Sequence, residues 1–213
     1  PADSEKNFYD IIHELGETPL PKEIKRKVDK KDEERFQTVY AKKIGAVSAP
    51  AAGLHFTEIL LKKLELKGVK IVNITSHTGL GTFKDIDVED LTKHKMDSEN
   101  YSVPIETEIA VNNALKNNNR IFAVGTSSMK TLETAVNADD TLKANSGWTD
   151  KFIFPPYEFK ICGGMITNFH SPKSTLLMMA TAYGGFDTIM KAYKVAIKEK
   201  YMFHTYGDAL LII

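Results

Sequence analysis

The sequence lacks the features that would identify several classes of protein. Only one of its 213 residues is cysteine, so an intrachain disulfide is excluded and a reducing, cytoplasmic compartment is expected. Lysine plus arginine and aspartate plus glutamate both total 28, and the resulting zero net charge argues against a generic nucleic-acid coat protein. No apolar run approaches the length of about 18 residues that crosses a membrane, and no signal peptide is visible.

Motifs for metals and common nucleotides are also missing. None of the six histidines has the paired spacing of a zinc site such as His-Glu-x-x-His, so we expect no metal. The glycine-bearing loops lack the third glycine of a dinucleotide fingerprint and the Lys-Ser/Thr pair of a P-loop. Any nucleotide or anion site in this chain must therefore be of another kind.

What the sequence does contain is an alternation of strand-like and helical segments from residue 45 onward. Helices are predicted over Glu58–Leu66, capped by Thr57, and over Ile105–Lys116, with further helices at residues 129–136, 175–182 and 188–200. Strands are predicted at residues 69–75, 120–124, 152–154, 161–162 and 165–167. The alternation predicts an α/β domain over residues 45–213, with a largely parallel sheet and flanking helices. Residues 1–44 are predicted to be a polar lead-in.

Three histidines follow predicted strands or apolar segments: His55, His77 and His170. The loops after parallel strands meet at one edge of a sheet, so we expect these imidazoles to converge there as candidate catalytic groups. Glu99 lies in a polar segment and is a candidate base or cation partner, or else a surface charge. Lys173 precedes a predicted helix and is a candidate anion ligand, or else a surface lysine.

Two loops are candidates for binding a ligand. Residues 125–128 join a predicted strand to a predicted helix, and free N–H groups at a helix start favour a phosphate or carboxylate. The alternative is simple helix capping by Thr126 or Ser127. The loop after His77 carries glycines that allow close approach of a ligand, or else it is a tight turn around a structural histidine. The candidate substrate-binding residues are Gly79, Gly81, Thr82, Gly125, Thr126, Ser127, Ser128, Lys130, Asn168 and Lys173.

Taken together, these segments resemble the S-adenosylmethionine:tRNA ribosyltransferase-isomerase family of queuosine biosynthesis. The matching motifs are residues 49–57, 77–83, 94–99, 125–133, 149–153, 166–177 and 206–209, in the family's order and at about its spacing. The agreement runs from about residue 16 to the C-terminus. Several long motifs in one order are highly specific, although each motif alone is weak.

The resemblance implies an enzyme that transfers and isomerises the ribosyl portion of S-adenosylmethionine. The acceptor it implies is 7-aminomethyl-7-deazaguanine at the wobble position of tRNA, the product is epoxyqueuosine, and adenine and methionine leave. S-adenosylmethionine is then a substrate, and neither a cofactor nor a metal is needed. Removing a proton beside the sulfonium requires a base and adenine departure requires an acid. The histidines and Glu99 are suitable for these roles. The implied partners are tRNA and S-adenosylmethionine, without a membrane, and we expect a monomer.

Three features depart from the family's pattern. We expect the small inserted β-barrel domain and the N-terminal segment of the family to be largely absent from this chain. Lys130 stands where the family has arginine, and lysine cannot make the same bidentate contact. Asp97 stands where the family has histidine. Two alternatives therefore stay open: a divergent relative that binds tRNA or a nucleoside without this catalysis, and an α/β enzyme that binds a phosphosugar through residues 125–128.

Overall fold

The computed structural model describes residues 7–213, apart from the side chain of Phe83. The helices are α1 (Phe8–Leu15), α2 (Lys30–Arg35), α3 (Glu58–Leu66), α4 (Ile105–Lys116), α5 (Thr126–Thr134), α6 (Thr175–Gly184) and α7 (Phe186–Lys198). The strands are β1 (Thr75–His77), β2 (Glu99–Val103), β3 (Phe122–Val124), β4 (Asn145–Thr149), β5 (Gly164–Asn168) and β6 (Ala209–Ile212). Short 3₁₀ turns cover Ala51–His55, Leu80–Phe83 and Leu91–Lys93. No helix in this described part is long and apolar enough to cross a membrane.

The mixed α/β class is confirmed, but the largely parallel sheet is not. The described strands form two three-stranded sheets, in the orders β1-β2-β4 and β3-β5-β6. Only β3 and β5 run parallel, and every other described pair of strands is antiparallel. The antiparallel sheet is not predicted because β2 and β4 mix strand-forming residues with asparagine, glutamate and glycine, which are depleted in strands, and show no clear apolar run. The apolar segments predicted as strands at residues 152–154 and 161–162 run outside the ladders.

Helix α5 lies between the two sheets and organises the core. It packs against β1 and β2 on one side and against β3 and β5 on the other. Met129 and Thr131 of this helix have no exposed surface. Gly125, at φ 91°, turns the chain from β3 into α5, in a backbone region that residues with a Cβ rarely adopt. This turn sets which side chains of α5 face β2.

Residues 26–36 of the predicted lead-in are tied to the C-terminal loop. Asp32 is fully buried and accepts hydrogen bonds from both terminal nitrogens of Arg26, at 2.5 and 2.6 Å. It also accepts the Asp29 N–H at 2.8 Å and the Tyr206 hydroxyl at 3.2 Å. The Arg26 guanidinium holds the pKa of this carboxyl well below its usual range. The Tyr206 loop is therefore fixed by a charge located near the start of the described chain.

Candidate active site

Glu99 and Lys130 form a buried ion pair between β2 and α5. Their side chains are 4% and 6% exposed, and the Lys130 ammonium donates to Glu99 Oε2. The other carboxylate oxygen, Oε1, accepts the Gly79 N–H at 3.2 Å. Both oxygens of the candidate base are thus engaged, and its charge is balanced. Separating two desolvated charges is costly, so the geometry favours a fixed negative group over a mobile proton acceptor.

A second group of polar residues surrounds the carboxyl end of β5. Asn168 is 1% exposed, and its Nδ2 donates to the His204 carbonyl at 2.9 Å and reaches the carbonyls of Thr205 and Gly207 at 3.4 Å. This arrangement assigns Oδ1 to the side facing His55, whose Nε2 lies 3.2 Å away. An amide oxygen only accepts, so His55 Nε2 carries the hydrogen. The other ring nitrogen, Nδ1, is then the one that can accept a proton from a ligand.

His170 lies beside the same strand end but in a different electrostatic environment. Its Nε2 is 2.7 Å from the Thr167 hydroxyl, and its backbone N–H donates to the Tyr193 hydroxyl at 2.8 Å. Desolvation, and then repulsion by His204, lower the pKa of His170 to about 3. The imidazole is therefore neutral near pH 7. It can donate or accept a hydrogen bond there, but it is a poor source of a full proton.

His77 does not share a face with Glu99. In the antiparallel register, His77 pairs with Asn100, the neighbour of Glu99 along β2. Side chains of paired residues lie on the same face of a sheet and those of consecutive residues on opposite faces, so His77 points away from the α5 side. Its ring packs against Gly45, where a Cβ atom would lie 2.7 Å from Cε1 and Nδ1. His77 is therefore separated from the face of the sheet that carries Glu99 and that packs against α5.

At the start of α5, the structure bears on the capping alternative for residues 125–128 and leaves anion binding by the backbone N–H groups as a prediction. Gly125 is the N-terminal cap and makes no side-chain cap, so the alternative of capping by Thr126 or Ser127 is not supported. The Ser128 hydroxyl donates to the Val124 carbonyl at 2.8 Å, inside its own chain segment. Thr126 is 9% exposed. The helix start therefore offers a ligand its backbone N–H groups rather than the hydroxyl groups of these residues.

The remaining candidate residues lie on the neighbouring loops. Gly81 and Thr82 belong to the turn Leu80–Phe83, and Asp97 lies directly over Gly81. Asp97 pairs with Lys84 at 2.8 Å through both carboxylate oxygens. Lys173 adopts a φ of 57°, its carbonyl accepts the Ile86 N–H at 2.8 Å, and it lines an open cleft of about 400 Å³. That cleft contains neither the Glu99 pair nor His55.

One buried carboxylate was missed from the sequence. Glu133 of α5 is 3% exposed and accepts the backbone N–H groups of Lys160 and Ile161 at 3.1 Å. It also accepts the Tyr157 hydroxyl at 3.3 Å. Desolvation and this carboxylate raise the pKa of Tyr157 to about 12. The available signal is that Glu133 lies in the motif over residues 125–133, but no local pattern identifies partners that lie 24 to 28 residues away. Within residues 7–213, no grouping of three His, Cys, Asp or Glu side chains could hold a metal ion.

The chain is similar to known proteins along nearly its whole length. The family model described as queuosine biosynthesis protein matches residues 2–212. The chain is 56% identical to an S-adenosylmethionine:tRNA ribosyltransferase-isomerase of Cytophaga hutchinsonii, over 98% of this chain and 60% of that protein. It is 55% identical to the protein of the same name from Phocaeicola vulgatus, over 99% of this chain and 60% of that protein. The chain thus spans about 60% of the length of these curated relatives.

A solved structure agrees with this likeness. The crystal structure of an S-adenosylmethionine tRNA ribosyltransferase from Thermotoga maritima matches with a TM-score of 0.64 at 41% identity. The match covers 76% of this chain and 51% of that one. The likeness therefore extends from the sequence motifs to the backbone arrangement.

Proposed function

Because the chain belongs to the queuosine biosynthesis protein family, we propose that it supplies the catalytic core of an S-adenosylmethionine:tRNA ribosyltransferase-isomerase. The reaction we propose moves the ribosyl portion of S-adenosylmethionine onto the aminomethyl group of 7-aminomethyl-7-deazaguanine in tRNA. Ring rearrangement then gives epoxyqueuosine, with loss of adenine and methionine. S-adenosylmethionine and tRNA are the substrates, the cell compartment is the cytoplasm, and we propose a monomer without a metal or cofactor.

The observation that carries a catalytic role is the Asn168–His55 contact. A base is needed to remove the proton beside the sulfonium, and a neutral imidazole with one oriented nitrogen suits that step. Asn168 fixes the ring by accepting from Nε2, which leaves Nδ1 as the proton acceptor. His55 is an exposed residue, so a substrate can reach it. We therefore propose His55 as the base that acts on S-adenosylmethionine.

The Glu99–Lys130 pair supports a different role. A carboxylate held by Lys130 and the Gly79 N–H keeps its position and charge while a substrate binds. We propose that Glu99 fixes the loop over residues 79–82, and that removal of the proton beside the sulfonium belongs to His55. The pair also gives Lys130 a defined partner at the position where the family resemblance predicts arginine.

The test is adenine release by the purified protein from S-adenosylmethionine, with tRNA carrying the aminomethyl-deazaguanine base or the same tRNA without it. We expect release only with the modified tRNA. His55→Gln keeps an N–H donor for Asn168 but cannot accept the proton, so kcat should fall by about 10²- to 10⁴-fold. The matched control is His13→Gln on the exposed face of α1, which should leave kcat unchanged. Binding of both substrates without any adenine release would favour the alternative of a relative that binds without this catalysis.

A further inference from the structure

The β1-β2-β4 sheet has an outer face that the proposed chemistry does not use. In its register His77 pairs with Asn100, and Asn100 pairs with Trp148. These three residues, which we call the outer row, therefore lie side by side on the face opposite to Glu99. Adjacent strands are about 4.8 Å apart, so the row spans roughly 10 Å from His77 to Trp148. That span is close to the size of one nucleobase with its sugar.

Two members of the outer row lack packing or hydrogen-bond partners. Trp148, the only tryptophan in the chain, is 69% exposed on strand β4. The Nε2 atom of His77 is buried and has no hydrogen-bond partner among the described residues. An exposed indole on a strand is a large apolar surface left in water, and an unpaired imidazole nitrogen is a lost hydrogen bond. The His77 nitrogen is covered by Gly45 and is not accessible to a ligand, so the exposed indole of Trp148 is the feature that points to a ligand with a flat ring.

Lysines outnumber carboxylates around the outer row: Asp97 lies against Gly81 but is paired with Lys84, and Glu108 accepts the Ala144 N–H at 2.5 Å. The segments that build or border it are residues 41–48, 75–82, 100–103 and 143–148. They contain Lys42, Lys43 and Lys143 and no aspartate or glutamate. Residues 41–48 lie beside His77, because Val47 N–H donates to the Thr78 carbonyl at 2.9 Å and Gly45 packs on the imidazole. In a chain with zero net charge, this local excess of lysine favours a polyanion.

We propose that the outer row is a stacking platform for an unpaired base of the tRNA anticodon loop. Trp148 stacks on the base, and the three lysines contact neighbouring phosphates. Asn100, whose Nδ2 already donates to the Gly147 carbonyl at 3.0 Å, offers Oδ1 to the polar edge of the base. Aromatic side chains on exposed strands bind single-stranded RNA in this way, because every base has a π face. This platform rests on the proposed function only for the identity of the RNA. It is separate from the Asn168–His55 contact that carries the chemistry.

Fluorescence tests the proposal directly, since Trp148 is the only tryptophan. An anticodon stem-loop RNA should quench its emission, whereas a fully paired RNA duplex of equal length should not. With fluorescently labelled stem-loop, Trp148→Ala should weaken binding by about 5- to 100-fold, while Trp148→Phe should restore most of the affinity. Lys143→Ala should weaken binding uniformly and reduce the slope of log affinity against log salt by about 1. The control, Phe186→Ala, removes another exposed aromatic residue at the start of α7 and should bind normally.

The outcomes separate this proposal from the enzymatic one. Quenching together with the Trp148→Ala loss supports the platform, even if adenine release fails. If Trp148→Ala still releases adenine in a tRNA-dependent way, and its KM for tRNA is unchanged, the platform is overturned and the proposed function stays in place. Absence of quenching by the stem-loop also overturns it.

Discussion

Replacing Lys130 with methionine is expected to lower the free energy of unfolding by about 3–5 kcal/mol. Methionine has a similar length and fits an apolar site, so the packing of α5 changes little. The cost arises from Glu99, which stays buried with 4% exposure and loses the charge that balances it. Its remaining partner, the Gly79 N–H at 3.2 Å, cannot replace an ammonium group.

A double-mutant cycle isolates this interaction. Glu99→Gln removes the charge but keeps an oxygen that can accept the Gly79 N–H, and alone it leaves Lys130 buried without a counter-charge. The double variant has neither unpaired charge, so it should be more stable than the sum of the two single losses by about 2–3 kcal/mol. For a domain of this size, the Lys130→Met loss corresponds to a fall in Tm of roughly 6–20 °C.

Urea unfolding followed by circular dichroism measures these changes at fixed pH and salt. The matched control is Lys62→Met, which breaks a surface pair with Glu65 whose members are 69% and 52% exposed. That change should cost less than about 1 kcal/mol. If Lys130→Met also costs less than 1 kcal/mol, or if the cycle shows simple additivity, the reasoning from a desolvated ion pair is wrong.

Three further predictions follow from the site and the core. Asn168→Leu should abolish the orientation of His55, so kcat for adenine release should fall while KM for S-adenosylmethionine changes little; an unchanged kcat would remove Asn168 from the catalytic arrangement. Between pH 6.5 and about 3 the unfolded chain binds a proton at His170 that the folded chain does not, so the free energy of unfolding should fall as pH falls through that window. His170→Asn should therefore reduce the difference between the urea midpoints measured at pH 7 and at pH 4. Burial raises the pKa of the Cys162 thiol to about 12, so iodoacetamide should label the native protein very slowly and the urea-unfolded protein rapidly; equal labelling rates would contradict the burial.

Elements whose ends are set by local sequence were predicted well. Helices α3 and α4 have the predicted bounds. Thr57 caps α3 as predicted, because its Oγ1 accepts the Leu60 N–H at 3.1 Å. Helix caps and helical periodicity involve residues no more than about four positions apart, so both can be recognised from the sequence alone. Strands depend on partners far away in sequence, and β2 and β4 have compositions that did not indicate strands.

The same distinction applies to the candidate site. That His55 and His170 lie near the end of β5 was expected from the loops, although the Asn168–His55 contact joins residues 113 positions apart and no local pattern reveals it. The face on which His77 lies depends on strand register, and a shift of one residue reverses it. The catalytic roles of the histidines and Glu99 therefore stay predictions, for which the substitutions above provide the tests.

The contact between Asp32 and Tyr206 has a consequence for how the protein is made. Its two residues are 174 positions apart, so it closes a loop that contains most of the chain. During synthesis the Asp32 carboxylate leaves the ribosome 174 residues before its tyrosine partner. Asn168 donates to carbonyls at residues 204–207, so the amide that orients His55 must also wait for this segment. The catalytic arrangement can thus be completed only after residues 204–207 have left the ribosome, and a nascent chain stalled before residue 204 should hold a folded α5 core with an unfinished site.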